Sequence, residues 1–103
     1  MAHFAKIENN LVIDVIVVSN TDCDNLPFPE SEPIGQAFIA SLGLTGEYKQ
    51  TSYSGSFRGY YAAPNYSFDA SLGEYGEFVP PPYTYQPPEQ PKPIVVNDDE
   101  QKN

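Results

Sequence analysis

Positive charge is scarce in this sequence. Lys6, Lys49, Arg58, Lys92 and Lys102 are its only Lys and Arg residues, set against 14 acids, and the formal net charge is −9. Binding to DNA or RNA depends on Lys and Arg displacing counterions from phosphates, and so few scattered cations do not supply that exchange. The same deficit argues against anionic membranes. Cysteine is nearly absent: Cys23 stands alone, so no internal disulfide can form. Asp22 and Asp24 flank it, and their charges raise a thiol's pKa and weaken it as a nucleophile. Histidine is just as rare. His3 lies in a strand pattern with no recognisable Ser, Cys or acid partner, and a general base needs a positioned partner and a cleft.

Long apolar runs are missing too. Val15-Ile16-Val17-Val18 is the longest aliphatic stretch, far short of the roughly 20 residues of a bilayer span. Met1 to Lys6 shows no basic region followed by an apolar stretch, which predicts a soluble chain without a secretory signal. Gly43, Gly46, Gly55 and Gly59 are spaced as a helix stop and turns, not as a phosphate loop. Asp22, Asp24, Glu30 and Glu32 are oxygen ligands in one loop, yet Leu26-Pro27-Phe28-Pro29 interrupts the alternation a calcium loop requires. No catalytic residue, cofactor or metal is therefore expected.

What is abundant is proline and tyrosine, unevenly placed. The 103 residues make one small domain, and seven of the 11 prolines follow Val79. The expected organisation is a compact β-rich domain over residues 1–79 and an extended acidic arm over residues 80–103. Pro80-Pro81-Pro82, Pro87-Pro88, Pro91 and Pro93 bias the arm to polyproline II, in which residues 80–93 would span about 43 Å. A domain of this size buries only about 60% of the surface its unfolded chain exposes, which leaves no room for a deep catalytic cleft.

Within the domain, His3–Glu8 and Leu11–Val18 are β-rich runs around Asn9-Asn10, a dipeptide that tolerates the positive φ angles of a two-residue hairpin turn. An uninterrupted ladder would place Ile7 opposite Val12, Ala5 opposite Asp14 and His3 opposite Ile16, with Phe4 and Lys6 on the face of Ile13, Val15 and Val17. Both faces of the second strand are largely apolar, which predicts cover on two sides, by a helix and by another layer, the tail or a subunit. Residues 19–33 read as a loop. Ser31 or Glu32 can cap a helix that carries Pro33 in its first turn, Ile34, Phe38, Ile39 and Leu42 on one face, and Gly43 past its end. A hairpin is predicted from Glu47–Tyr53 and Phe57–Tyr61 around Ser54-Gly55-Ser56, and a third pair of strands from Tyr66–Asp69 and Glu77–Val79. The fold class is α+β, mostly β: a small sheet of hairpins with one short helix packed on it.

Tyr48, Tyr53, Tyr60, Tyr61, Tyr66 and Tyr75 exceed what the accompanying aliphatics can bury as core, so part of them is available as a contact face. Candidate partner-binding residues are Tyr60 and Tyr61 in the domain, with Pro80, Pro81, Pro82, Tyr83, Tyr85, Ile94, Val95 and Val96 in the arm. Pro80-Pro81-Pro82-Tyr83 matches a PPxY ligand and Pro88-Glu89-Gln90-Pro91 a minimal PxxP, both suited to aromatic-lined grooves.

Met1-Ala2-His3-Phe4-Ala5-Lys6-Ile7-Glu8-Asn9-Asn10, Val15-Ile16-Val17-Val18-Ser19-Asn20, Gln50-Thr51-Ser52-Tyr53, Phe57-Arg58, Tyr66-Ser67-Phe68-Asp69 and Phe78-Val79-Pro80 together resemble small proteins encoded by tailed bacteriophages, notably marine and cyanobacterial ones. The resemblance covers about residues 1–80. The chain departs from those proteins in lacking their late Trp-containing segments and in ending with the Pro-rich arm. The resemblance implies a virion structural protein, assembled in the host cytoplasm. The leading expectation is a multi-copy capsid decoration or cement protein that touches other virion proteins, the major capsid protein or tail proteins, and its own copies. The alternatives are a tail, fibre or baseplate accessory, and a host-interaction adaptor that uses its Pro-rich segment.

Overall fold

The computed structural model describes residues 1–82. Strands β1 (Ala2–Glu8), β2 (Leu11–Val18), β3 (Glu47–Thr51), β4 (Ser67–Asp69) and β5 (Glu77–Val79) form one antiparallel sheet in the order β3-β1-β2-β4-β5. Helix α1 (Ser31–Ser41) connects β2 to β3 and follows a short 3-10 turn at Asn20–Cys23. The fold is thus a small, mostly β domain with one helix on its sheet. Of the candidate residues, Tyr83, Tyr85, Ile94, Val95 and Val96 lie outside the described residues, as does the arm beyond Pro82.

Asn9 and Asn10 make the first hairpin turn with φ of 52° and 63°, the left-handed pair that asparagine tolerates. Glu8 then faces Leu11 and Ile7 faces Val12, as expected. Beyond that point the register slips by one residue between Ile7 and Lys6, so Ala5 meets Val15 and not Asp14, and His3 meets Val17 and not Ile16. Ile13 is the residue left without an opposite, and such a bulge exchanges the faces of everything after it. Phe4 consequently lies with Ala2, Ile16 and Val18 on the helix side, while Ala5, Ile7 and Val15 occupy the other side.

Two small cores sandwich the sheet. On the helix side Ala2, Phe4, Val18, Cys23, Ile39 and Tyr48 pack together; on the other, Ala5, Ile7, Val12, Ala62 and Phe78 do. The strand covered on both faces is β1, where consecutive Phe4 and Ala5 are both fully buried. The two-sided cover expected for β2 is incomplete. β2 pairs with β4 only at Leu11, and its Leu11, Ile13 and Val17 stay exposed.

Helix α1 has Pro33 in its first turn and Gly43 just beyond Leu42, with φ 86°. Its buried residues are Ser31, Gly35 and Ile39, whereas Phe38 is half-buried and Leu42 is exposed. The helix therefore docks through a narrower stripe than predicted, centred on Gly35. A Cβ there would collide with the Phe4 ring and come within 3.1 Å of Cys23 Sγ, so glycine is what lets the helix lie close to the sheet. The cap position falls to Glu30, which makes no side-chain capping hydrogen bond, while Ser31 and Glu32 lie inside the helix and reach across to Gln50 on β3.

The hairpin predicted from Glu47–Tyr53 and Phe57–Tyr61 does not form. β3 pairs instead with β1, from His3 opposite Thr51 to Ile7 opposite Glu47. Gly55, Arg58 and Gly59 have φ of 75°, 59° and 72°, which turns the second segment into a coil whose backbone bridges the sheet from Gly59 to Phe78. β4 and β5 pair as expected, Ser67 opposite Val79 and Asp69 opposite Glu77.

Candidate interaction surface

His3, Tyr53 and Tyr61 form an aromatic group at one margin of the sheet. β1 supplies His3, the residues after β3 supply Tyr53, and the coil returning over the sheet supplies Tyr61. Tyr53 stacks on His3 at 5.6 Å between ring centroids, and Tyr61 meets the two edge-on at 5.6 and 5.2 Å. The coil is pinned by Thr51 Oγ1, which accepts the Ala62 N–H at 2.9 Å in a buried position. The loop after Tyr53 is held by Ser52 Oγ, which accepts the Ser56 N–H at 2.9 Å, and by Ser54 and Ser56, whose hydroxyls lie 2.6 Å apart. Beside this group runs an open groove of about 340 Å³, lined by His3, Gln50, Ser52, Tyr53, Ser54 and Phe57.

Burial, and after it the N-terminal ammonium, holds the His3 imidazole below its ordinary value. The groove lining contains no Asp, Glu, Lys or Arg side chain, and the terminal ammonium of Met1 borders it. A second depression of about 210 Å³ between α1 and β3 is lined by Gln36, Ile39, Leu44, Glu47 and Tyr48. Among the described residues no cluster of three His, Cys, Asp or Glu side chains could hold a metal ion. Cys23 is buried under Phe4 and Gly35, and that burial, followed by the charges of Asp22 and Asp24, raises its thiol pKa.

The structure divides the tyrosines. Tyr48 is core, and Tyr61 and Tyr66 are half-buried, while Tyr53 and Tyr60 are 74% and 62% exposed. Neighbouring Tyr60 and Tyr61 part company: Tyr61 joins His3 and Tyr53, and Tyr60 turns edge-on to Tyr66 at 6.4 Å. Pro80 and Pro81 are half-buried and Pro82 is exposed. Of the predicted residues that are described, Tyr61 alone belongs to the aromatic group. Tyr53 belongs to the tyrosine cluster but not to the candidate binding residues, and His3 to neither, because their proximity depends on β1 pairing with β3 and not on any local pattern.

Glu32 and Arg58, 26 positions apart, are joined by the fold and by no local pattern. The Arg58 guanidinium engages both oxygens of Glu32, with Nη2 to Oε1 at 3.1 Å, and donates from Nη1 to the Gln50 carbonyl at 3.0 Å. Its Nε donates to the Tyr75 carbonyl, and its guanidinium lies over the Phe28 ring at 5.0 Å. Phe28 in turn stacks face to face with Phe57 at 3.8 Å. The acidic loop is therefore anchored at its end by the single arginine, which joins α1, β3 and the loop before β5.

No helix of the described residues is long and apolar enough to cross a membrane. Compared with known proteins, the chain matches no family model, no curated protein and no solved structure.

Proposed function

We propose that this chain is a non-enzymatic structural component of a tailed-phage virion, a decoration protein that attaches to the capsid exterior. The phage setting rests on the resemblance of residues 1–80 described above. The observation that carries the binding role is the exposure of two tyrosines: Tyr53, stacked on His3 and met by Tyr61, is 74% exposed, and Tyr60, turned to Tyr66, is 62% exposed. Tyrosine gives large contact area with few rotamers and a polar tip, and it is enriched among residues that dominate protein interfaces. The Ser52–Ser54–Ser56 hydroxyl chain and the pinned Tyr61 hold this surface in shape before any partner arrives, which lowers the ordering cost of binding. A formal charge of −9 keeps free copies apart and favours a neutral or basic partner surface.

Quantitative mass spectrometry of purified particles whose genome encodes this chain tests the reading. Copy numbers comparable with the major capsid protein are expected. A few copies per particle would move the chain to the tail, and its absence from particles would overturn the virion role. Tyr53→Ala and Tyr60→Ala chains, added to particles stripped of the protein, should rebind at least tenfold more weakly while melting at an unchanged temperature.

A further inference from the structure

The backbone at the two sides of the β1–β2–β3 ladder is treated very differently. Along β3, three groups directed away from β1 are taken: Gln36 Nε2 donates to the Tyr48 carbonyl at 2.7 Å, Glu32 accepts the Gln50 N–H at 2.8 Å, and Arg58 donates to the Gln50 carbonyl. Along β2, Val12 is satisfied by the backbone of Asn65 and Tyr66 at 2.9 and 2.8 Å. Past that point the neighbouring strand ends. The Val15 N–H is accepted by the Asp14 side chain at 2.9 Å, which shows that it points away from β1. By strand alternation the N–H and C=O of Val17 point the same way, and among the described residues nothing bonds them. Val17 is 53% and Ile13 44% exposed. An open, β-branched edge of this kind is a template for one more strand.

We propose that the open margin of β2 at Val15–Val18 is the docking site for the Ile94-Val95-Val96 segment of the same chain, added as a further strand. The inference does not depend on the virion reading. Four features single out this occupant. It is uncharged and β-branched, with backbone donors and side chains suited to a strand; Tyr83-Thr84-Tyr85, the other such run there, follows Val79 too closely for its centre to reach the level of Val17. It is bounded by Pro93 and Asn97-Asp98, which limits it to about the length of the open edge. Its route is short: β4 is antiparallel to both β2 and β5, so the chain leaves β5 travelling in the direction of β2, and Val79 is level with Leu11 through Ser67. From Val79 to the level of Val17 is about 20 Å along the strands and about 10 Å across them. Residues 83–93, at about 3.1 Å each, reach about 34 Å from Pro82. Finally, a tethered segment acts at a local concentration in the millimolar range, whereas pairing with β2 of a second copy must bring two chains of charge −9 together.

The test is amide hydrogen exchange by NMR on the full chain, on Val95→Pro, which removes the central donor, and on Val95→Thr, which keeps a β-branched strand former. The Val17 amide should exchange at least tenfold more slowly in the natural and Val95→Thr chains than in Val95→Pro. The Phe4 and Ala5 amides should be equally protected in all three, which shows that the domain stays folded. Equal Val17 exchange in the natural and Val95→Pro chains would overturn the proposal. So would protection of Val17 that grows with protein concentration, because it would assign the edge to a second copy.

Discussion

Glu32 and Arg58 bracket the peptide backbone of Gln50: the carboxylate accepts its N–H at 2.8 Å, and the guanidinium donates to its C=O at 3.0 Å. The two side chains are only 16% and 8% exposed, so the pair stands in for a neighbouring strand in a site largely shielded from water. Removing one member of such a pair leaves the other charge buried without compensation. Arg58→Ala should cost about 3–5 kcal/mol in urea unfolding, a large share of the stability of a domain this small. Arg58→Lys should recover little of it, because an ammonium cannot make the forked contact. The double change Glu32→Gln with Arg58→Met should be less damaging than Arg58→Ala alone.

Helix docking should respond to burial position by position. Ile39→Ala is expected to cost about 2–5 kcal/mol, and Leu42→Ala to remain within about 0.5 kcal/mol of the natural chain. Gly35→Ala raises helix propensity by about 1 kcal/mol, yet its methyl group meets the Phe4 ring. A net loss of stability is therefore expected, and a Gly35→Ala chain that melts higher would disprove the close approach.

The Cys23 thiol is 2% exposed, and its pKa is raised by burial and by its two aspartate neighbours. A thiol-specific reagent at pH 8 should modify the folded chain at least about tenfold more slowly than the urea-unfolded one, since reaction has to wait for opening. Fast labelling of the folded chain would mean that the 3-10 turn carrying Cys23 does not pack under α1.

Acidification should weaken the fold through His3. Its pKa is lowered in the folded state from 6.5, so below about pH 6.5 the unfolded chain binds more protons than the folded one. The contribution of neutral His3 to stability is full above that pH and is lost as pH falls through the lower, folded value. Asp69, lowered by its hydrogen bonds from Ser71, adds a loss of the same sign at more acidic pH. The His3 ring protons, followed by NMR, should titrate below 6.5, and His3→Gln should flatten stability between pH 7 and pH 5.

Local chemistry explains what could be read without coordinates. Asn9-Asn10 dictates its turn by residue type, and Pro33 with Gly43 frames α1, because these effects act within a few residues. The bulge at Ile13 did not announce itself, since every residue from Val12 to Val18 except Asp14 is apolar and either register buries something. The Phe57–Tyr61 segment has strand-like composition, but Arg58 takes a left-handed φ that composition does not reveal. Arg58 adopts it while gripping Glu32, 26 positions away. Likewise the His3–Tyr53–Tyr61 group exists only because β1 chooses β3 as its partner.

That choice also orders the events of folding. β1 pairs on one side with β2 across a two-residue turn, and on the other with β3, where His3 faces Thr51. The first contact closes a minimal loop and can form in microseconds; the second must close a loop of more than 40 residues, with its entropy spent before any ladder bond repays it. The hairpin is thus the natural nucleus, and the arrival of β3, with the Glu32–Arg58 clamp behind it, is the late step. Mutations in the Asn9-Asn10 turn should slow folding, whereas loss of the clamp should chiefly hasten unfolding.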